Sequence, residues 1–219
     1  MKKHWWKALG VLLVLYTIVF GFTGEVPRLP ILNETIRNLY FHVTMWFSMV
    51  ILMTSSLVYS IKYLRNGDLY ADLKGKELAI TGFFMASLGL LTGAVWAKFT
   101  WGTWWTNDPK LNGTAVTMLI YLAYFVLRGS VDDPQKRGRL SAVYNIFAYV
   151  MMIVFIGILP RLTDSLHPGN GGNPGFGGYD LDGTMRIVFY PAIIGWTLIG
   201  LWITSLKIRY QKLLWKKDV

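Results

Sequence analysis

The sequence predicts an all-α, polytopic membrane protein with six transmembrane helices and both termini in the cytoplasm. Three observations support this fold class: a low content of charged residues, six long apolar segments, and basic residues that concentrate in alternate connections. Of the 219 residues, 53% are hydrophobic and only 16% are charged, and the mean hydropathy is +0.39. Because an average soluble domain carries about 25% charged residues, this composition is typical of a chain that lies in a membrane.

The apolar segments have the length that a membrane span requires, since a helix of about 20 residues crosses a hydrocarbon core of about 30 Å. The fourth segment is short, and we expect the residues before it to extend it. The first resembles a signal peptide, but it lacks a small-x-small cleavage site and is interpreted as an uncleaved helix. We expect a single six-helix domain over residues 1–219. The segments lie at about residues 5–23, 40–61, 78–97, 113–127, 140–159 and 186–206.

The distribution of lysine and arginine predicts the orientation of these helices. With a cytoplasmic N-terminus, 16 of the 22 basic residues lie on the inner side, in the two termini and in the connections 62–77 and 128–139. The positive-inside rule favours this orientation. The outer connections 24–39, 98–112 and 160–185 hold five basic residues, Arg186 directly follows them, and these six are balanced by six acidic residues. The net charge of +10 therefore indicates contact with anionic membrane lipid and not with nucleic acid.

The chain has no cysteine, which excludes disulfides, thiolate metal sites and a Cys-x-x-Cys-His haem attachment sequence. Of the three histidines, His4 lies at the inner N-terminus, whereas the predicted topology places His42, His167 and the segment Trp101–Asp108 on the outer side. Two imidazoles can hold iron axially, indole rings suit a flat apolar macrocycle, and a basic residue can face propionate carboxylates. These residues together indicate a haem site. The candidate partners of the propionates are Lys98, Lys110, Arg161 and Arg186.

Each of these features also has a simpler structural interpretation. Tryptophans at a membrane surface commonly form an aromatic belt, and a lone histidine near a helix end is usually structural. Gly89 and Gly93 form a small-xxx-small pair that is typical of close helix packing. Asp108 favours the functional interpretation, because an aromatic belt requires no carboxylate beside it. Its side chain is expected either to cap a helix or to orient a ligand, and the sequence alone leaves both roles open.

The segment WGTWWTNDPKL, which starts at Trp101, resembles the tryptophan-rich WWD signature of haem-handling proteins in cytochrome c maturation. Together with FHV at His42, LHPG at His167, AVWAKFTWGTWW, DDPQKRGR and the six-helix plan, it resembles the haem exporter protein C (CcmC) family. The similarity extends from about Arg37 to Trp196. Three positions depart from the family pattern, with Asn107 in place of a third tryptophan, Lys110 in place of an arginine, and Thr44 in place of a proline.

The resemblance implies a bacterial inner-membrane protein that binds haem b non-covalently on its periplasmic face. His42 and His167 would be the axial ligands, and the periplasmic WWD loop at about 98–112 would cradle the porphyrin. The family works with the ATP-binding cassette subunits CcmA and CcmB and with a small CcmD-like subunit, and it presents haem to the periplasmic chaperone CcmE. The candidate haem-binding residues are His42, His167, Trp46, Trp101, Trp104, Trp105, Asp108 and Lys110.

Three other functions compete with this one. A haem lyase of the CcmF/CcsA type carries the same signature, but it is expected to have more helices and more histidines. A transmembrane electron carrier would need histidine pairs within its helices, and the third to sixth predicted helices contain none. An ordinary transporter would need charged residues in mid-span, and none is evident. The sequence therefore favours haem handling and transfer over catalysis and leaves enzymatic activity open.

Overall fold

The structure, a computed structural model, describes residues 4–167, 176 and 181–215. These residues form six long helices and no β-strand. A 3₁₀ helix, Asn33–Asn38, leads directly into the second of them, and the fifth continues through a π-helical turn, Ile153–Ile158, into a last turn, Leu159–Leu162. The helices are α1 (Trp5–Thr23), α2 (Leu39–Asn66), α3 (Leu69–Trp101), α4 (Pro109–Gly129), α5 (Pro134–Met152) and α6 (Gly183–Trp215).

All six helices are long and apolar enough to cross a membrane, which confirms the predicted class of a multi-pass, all-α membrane protein. Because the number of spans is even, the described chain ends lie at the same end of the bundle as the short connections 67–68 and 130–133. We call this the basic end. The connections 24–38 and 102–108, the residues 163–167 and the start of α6 lie at the opposite end, which we call the tryptophan-rich end. The side of the membrane that each end faces stays a prediction.

The connections at the basic end are much shorter than predicted. The sequence predicts loops at 62–77 and 128–139, but most of these residues are helical. The helix α2 ends at Gly67, which has a φ of 64°, and the Asp68 side chain accepts a hydrogen bond from the Tyr70 N–H to begin α3. The predicted loops were wrong because hydropathy reports only the apolar part of a helix, whereas polar turns can continue it beyond the hydrocarbon core.

At the tryptophan-rich end, too, the helices extend further than the sequence predicts. The helix α3 continues to Trp101 and ends at Gly102, which has a φ of 76°. Asp108 then caps α4, and Pro109 occupies the first turn of that helix. The predicted connection 98–112 is therefore reduced to residues 102–108, and the expected extension of the short fourth span is confirmed.

The last connection at this end is described only in part. The sequence stretch HPGNGGNPGFGGYD lies within the predicted connection 160–185 and is typical of a loop without regular structure. Residues 168–175 and 177–180, which make up most of that stretch, lie outside the described residues. Residues 163–167, which follow the last turn Leu159–Leu162 and which we call the segment after α5, are described, and they form part of the candidate site.

The helix α2 lies at the centre of the bundle. It packs along α3 and also contacts α5 and α6, whereas α1 packs mainly against α6. Methionine side chains of α2 lie in the main hydrophobic core. The Asn145 amide of α5 donates hydrogen bonds of 2.8 Å to the Ser56 and Ser60 hydroxyls of α2. Such interhelical hydrogen bonds fix the rotation of helices that otherwise present only apolar surfaces to each other.

Charged residues from the predicted inner connections are buried between the helices at the basic end. Arg128 of α4 donates two hydrogen bonds to the Asp72 carboxylate of α3, and each side chain is only 10% exposed. The buried Glu77 carboxylate lies 3.1 Å from the Lys76 ammonium group and 3.6 Å from that of Lys207. These pairs join α3 to α4 and α6, and they balance the charge of two buried carboxylates.

Candidate functional site

Four parts of the chain meet at the tryptophan-rich end: the start of α2, the end of α3, the segment 102–108, and the residues that follow α5. They bring both predicted histidine ligands to the same end of α3. The His42 ring contacts the Trp96 ring, with centroids 5.8 Å apart, and the His167 ring contacts the Trp101 ring at 5.0 Å. Because five residues of an α-helix rise about 7.5 Å, the two imidazoles pack at neighbouring levels of one helix.

His42 lies in the first turn of α2, against a glycine surface of α3. A Cβ atom at Gly93 would lie 2.5 Å from His42 Cε1, and one at Gly89 would lie 2.9 Å from Cε2 of Trp46. The glycine pair that predicts close helix packing therefore makes room for two specific rings. His42 Nδ1 is 2.8 Å from the Gly89 carbonyl oxygen. A carbonyl oxygen can only accept, so Nδ1 carries the hydrogen and Nε2 keeps a lone pair for a metal.

His167 lies in the segment after α5 and is held by Asp108. Its Nδ1 atom is 3.0 Å from Asp108 Oδ1, and its side chain is 20% exposed. A carboxylate also only accepts, so Nδ1 donates this hydrogen bond and Nε2 is left for a metal. Metal-binding histidines usually donate their other ring nitrogen to a carboxylate or a carbonyl in this way, which fixes the tautomer and the orientation of the ring.

Asp108 is the centre of the hydrogen-bond network and is only 2% exposed. Its Oδ1 atom accepts from two backbone N–H groups in the first turn of α4, at 2.9 and 3.3 Å, and so caps this helix. Its Oδ2 atom accepts from the Ser165 hydroxyl at 2.8 Å and from the Leu166 N–H at 2.7 Å. Of the two roles that the sequence left open for this residue, the structure confirms the cap of α4. The same carboxylate is bonded to His167, whose role as a haem ligand stays a prediction.

The same network sets the protonation state of Asp108. Burial alone would raise the pKa of this carboxyl group, but the hydrogen bonds from His167, Leu166 and Ser165 outweigh that effect and hold the pKa well below its usual range. The group is therefore a carboxylate at neutral pH. Its position at the N-terminus of α4 favours the negative charge further, because the dipole of a helix is positive at that end.

The four tryptophans predicted to bind haem occupy three different environments. Trp101 ends α3 and packs edge-on against His167, whereas Trp46 lies between α2 and α3. Trp104 and Trp105, in the connecting segment, are 57% and 40% exposed. These last two residues present indole surface to the exterior of the protein, where a flat apolar ligand can stack.

The basic residues near the site differ in whether their charged groups already form hydrogen bonds. Lys98, Arg161 and Arg186 each donate hydrogen bonds to backbone carbonyl oxygens. Lys110 Nζ, in contrast, donates no hydrogen bond and forms no ion pair with any residue that the structure describes. Of the four candidates for a propionate partner, Lys110 is therefore the one whose charged group needs no existing bond to be broken.

Sequence reasoning did not identify every residue that shapes the site. Trp96 packs against His42, and its five-residue spacing from Trp101 was the available signal. The pair Gly89 and Gly93 was recognised as a packing motif, but nothing in the sequence shows that its partners are a histidine and a tryptophan. No sequence signal indicated the bond from Ser165 to the Asp108 network.

The donor set fits a haem better than a metal site built only from protein ligands. Within the described ranges, no group of three or more histidine, cysteine, aspartate or glutamate residues could hold a metal ion. Two imidazoles with Nε2 atoms left for a metal, exposed indole rings and a lysine that is unbonded within the described residues fit the iron, the apolar faces and the propionates of a haem.

Comparisons with known proteins point in the same direction. The family model described as Heme exporter protein C (CcmC) matches residues 2–218. The chain is 29% identical over 166 residues to Heme exporter protein C of Rhodobacter capsulatus, which covers 76% of this chain and 68% of that protein. It is 26% identical over 221 residues to Heme exporter protein C of Escherichia coli K12, covering 97% and 84% of the two chains. Cytochrome c biogenesis protein CcsA of Prochlorococcus marinus is 34% identical over 105 residues, which cover 48% of this chain and 32% of CcsA.

Proposed function

We propose that this chain, which belongs to the Heme exporter protein C family, binds haem non-covalently at its tryptophan-rich end and passes it on during c-type cytochrome maturation. The observation that supports this function best is the pair of histidines. His42 and His167 pack against the same end of α3, and the Nδ1 atom of each is bonded to an acceptor. The two Nε2 atoms are therefore left for axial positions of an iron.

The two ligands differ in how the chain holds them. When bound, haem supplies an iron with two axial positions for nitrogen ligands. His42 occupies a helix and is oriented by a neutral backbone carbonyl, whereas His167 occupies a connecting segment and is oriented by the Asp108 carboxylate. A hydrogen bond to a carboxylate makes an imidazole a stronger electron donor than one to a carbonyl. The segment after α5 is also the part that can move without disturbing a helix.

The remaining contacts come from the segment 102–108 and the start of α4. Trp104 and Trp105 would offer their indole faces to the porphyrin, and each aromatic pair would contribute about 0.5–1.5 kcal/mol beyond the burial of its surface. Lys110 pairs with a propionate as a single positive charge. Contacts of this size hold haem b firmly enough to collect it and weakly enough to transfer it.

A test of the ligands is to measure haem in purified His42→Ala and His167→Ala proteins. We expect each variant to lose at least about tenfold in haem per protein by Soret absorbance and pyridine haemochrome assay, because one axial bond is gone. Added imidazole should restore part of the Soret band in both variants. The control is His4→Ala, which removes a histidine at the basic end of the bundle, and this variant should keep the haem content of the wild type. Full haem content in both ligand variants would contradict the site.

We also propose that the tryptophan-rich end faces the periplasm of a bacterial inner membrane. The excess of basic residues at the opposite end supports this orientation. In this orientation the protein presents haem to a CcmE-like periplasmic chaperone, and CcmA, CcmB and a CcmD-like subunit form the complex around it.

The absence of native cysteine makes this orientation directly testable. Thr103→Cys places one thiol in the exposed segment of the tryptophan-rich end, and Ser130→Cys places one in a connection at the basic end. We expect a membrane-impermeant maleimide to label only Thr103→Cys in intact spheroplasts and to label both variants after lysis. Labelling of Ser130→Cys alone in intact cells would reverse the proposed orientation.

A second candidate function is attachment of haem to an apocytochrome, which the resemblance of the Trp101–Asp108 segment to the signature of haem lyases favours. The partial match to Cytochrome c biogenesis protein CcsA is consistent with either function. A lyase forms the thioether bonds to the apocytochrome without a chaperone, whereas a haem-presenting protein passes its haem to a chaperone. Incubation of the haem-loaded protein with an apocytochrome, in the absence of any chaperone, distinguishes the two. Covalent haem on the apocytochrome after denaturing electrophoresis would favour the lyase, and its absence would favour presentation to CcmE.

A further inference from the structure

An apolar groove lies on the outside of the bundle, between the C-terminal end of α4 and the N-terminal half of α5. Its volume is about 430 Å³. Leu140, Val143 and Phe147 of its lining are 40%, 56% and 49% exposed, and their spacing of three and four residues places them on one face of α5. The groove therefore opens away from the protein core, toward the bilayer. Its lining residues are Leu127, Arg139, Leu140, Val143, Tyr144 and Phe147.

The side chain of Arg139 lies at the end of this groove, where its aliphatic part contributes to an almost entirely apolar surface. Arg139 is exposed, stands in the second turn of α5 at the basic end, and directly precedes the apolar lining. It donates no hydrogen bond and forms no ion pair to any residue in the described part of the chain. Arg128, next to the groove residue Leu127, differs, because its guanidinium group is bonded twice to Asp72. The groove is thus a long apolar surface beside one positive charge that has no carboxylate partner among the described residues.

We propose that this groove binds one anionic phospholipid, with the phosphate on Arg139 and an acyl chain along Leu140–Phe147. Charge complementarity selects this occupant. A guanidinium group matches a phosphate with two parallel hydrogen bonds, and basic pockets between transmembrane helices bind anionic headgroups. The lining extends about 12 Å along α5 from Arg139, which is the direction an acyl chain takes from its headgroup. A zwitterionic lipid fills the same groove but brings a cationic group close to the guanidinium and so binds less tightly.

The experiment is native mass spectrometry of the full chain in detergent, with equal amounts of phosphatidylglycerol and phosphatidylcholine added. We expect the wild-type protein to retain one phosphatidylglycerol about fivefold more often than phosphatidylcholine, because one arginine at an anionic surface contributes about 1 kcal/mol. Arg139→Gln should remove this preference. Arg137→Gln is the matched control, since it removes the same charge two residues away, outside the groove lining, and it should keep the preference.

A second pair of variants tests the groove itself without changing its charge. Val143→Trp fills the groove and should reduce retention of both lipids, whereas Val58→Trp, on α2 at a similarly exposed valine (57%), should not. The proposal is overturned if the wild-type protein shows no preference, if Arg137→Gln removes the preference as fully as Arg139→Gln, or if Val143→Trp retains lipid normally. Retention of a polypeptide in place of lipid would also overturn it.

Discussion

Replacing Asp108 with alanine should weaken haem binding about 10- to 100-fold, the range typical for outer partners of metal-binding histidines. The change removes the acceptor of His167 Nδ1, so the imidazole loses both its fixed tautomer and its orientation. It also removes the acceptor of the Ser165 hydroxyl and of the Leu166 N–H, which position the segment that carries the ligand. Titration of the detergent-purified protein with haem, followed at the Soret band, measures the affinity.

Two further variants separate the functions of this carboxylate. Asp108→Asn keeps a good capping residue for α4 but loses the negative charge, and we expect a loss of affinity between those of the wild type and the alanine variant. Asp164→Ala removes an exposed carboxylate three residues before His167 that forms no hydrogen bond within the described residues. It should bind haem like the wild type. Wild-type affinity in Asp108→Ala would show that His167 needs no carboxylate partner.

Replacing Gly93 with alanine should abolish haem binding through His42 although the histidine itself is unchanged. The new Cβ atom would lie 2.5 Å from His42 Cε1 and 2.9 Å from Nδ1, so the ring must move. That movement would break the 2.8 Å hydrogen bond to the Gly89 carbonyl oxygen and so remove the contact that orients Nε2 toward a metal. We expect a loss of haem as large as in His42→Ala, with a destabilisation of about 1–3 kcal/mol from overpacking.

The control for this substitution is Gly129→Ala at the end of α4, where a Cβ atom would meet no atom within 4 Å. It should leave both haem content and thermal unfolding unchanged. Thermal unfolding of Gly93→Ala, measured in the same detergent, checks that the bundle still forms. A Gly93→Ala protein with wild-type haem content would show that the position of the His42 ring is not decisive for binding.

The membrane spans and the grouping of the site could be predicted because both depend on properties of individual residues. Apolar length decides which segments cross a bilayer, and counting the spans places His42 and His167 at one end. The helix ends could not be predicted in the same way. Trp101 was expected in a loop but ends α3, because Gly102 and the capping residue Asp108 decide where the helices stop, and hydropathy is insensitive to both.

The contacts of each site residue were harder to predict than which residues lie in the site. The sequence indicates that Asp108 lies near the histidines, but its bonds to Ser165 and His167 join residues more than fifty positions apart. The Gly89–Gly93 pair likewise reports a close approach and not the identity of the approaching side chain. Such contacts depend on the relative rotation of the helices, which is set by packing across the whole bundle.

The sharing of one carboxylate between α4 and the His167 segment has a kinetic consequence. Release of His167 breaks its own bond to Asp108 together with those of the Ser165 hydroxyl and the Leu166 N–H, so we expect the segment to leave the carboxylate as a unit. Release of haem to an acceptor protein would then be an all-or-none event. The acceptor would have to offer contacts that replace those lost at Asp108, and haem would therefore not be lost readily to solvent.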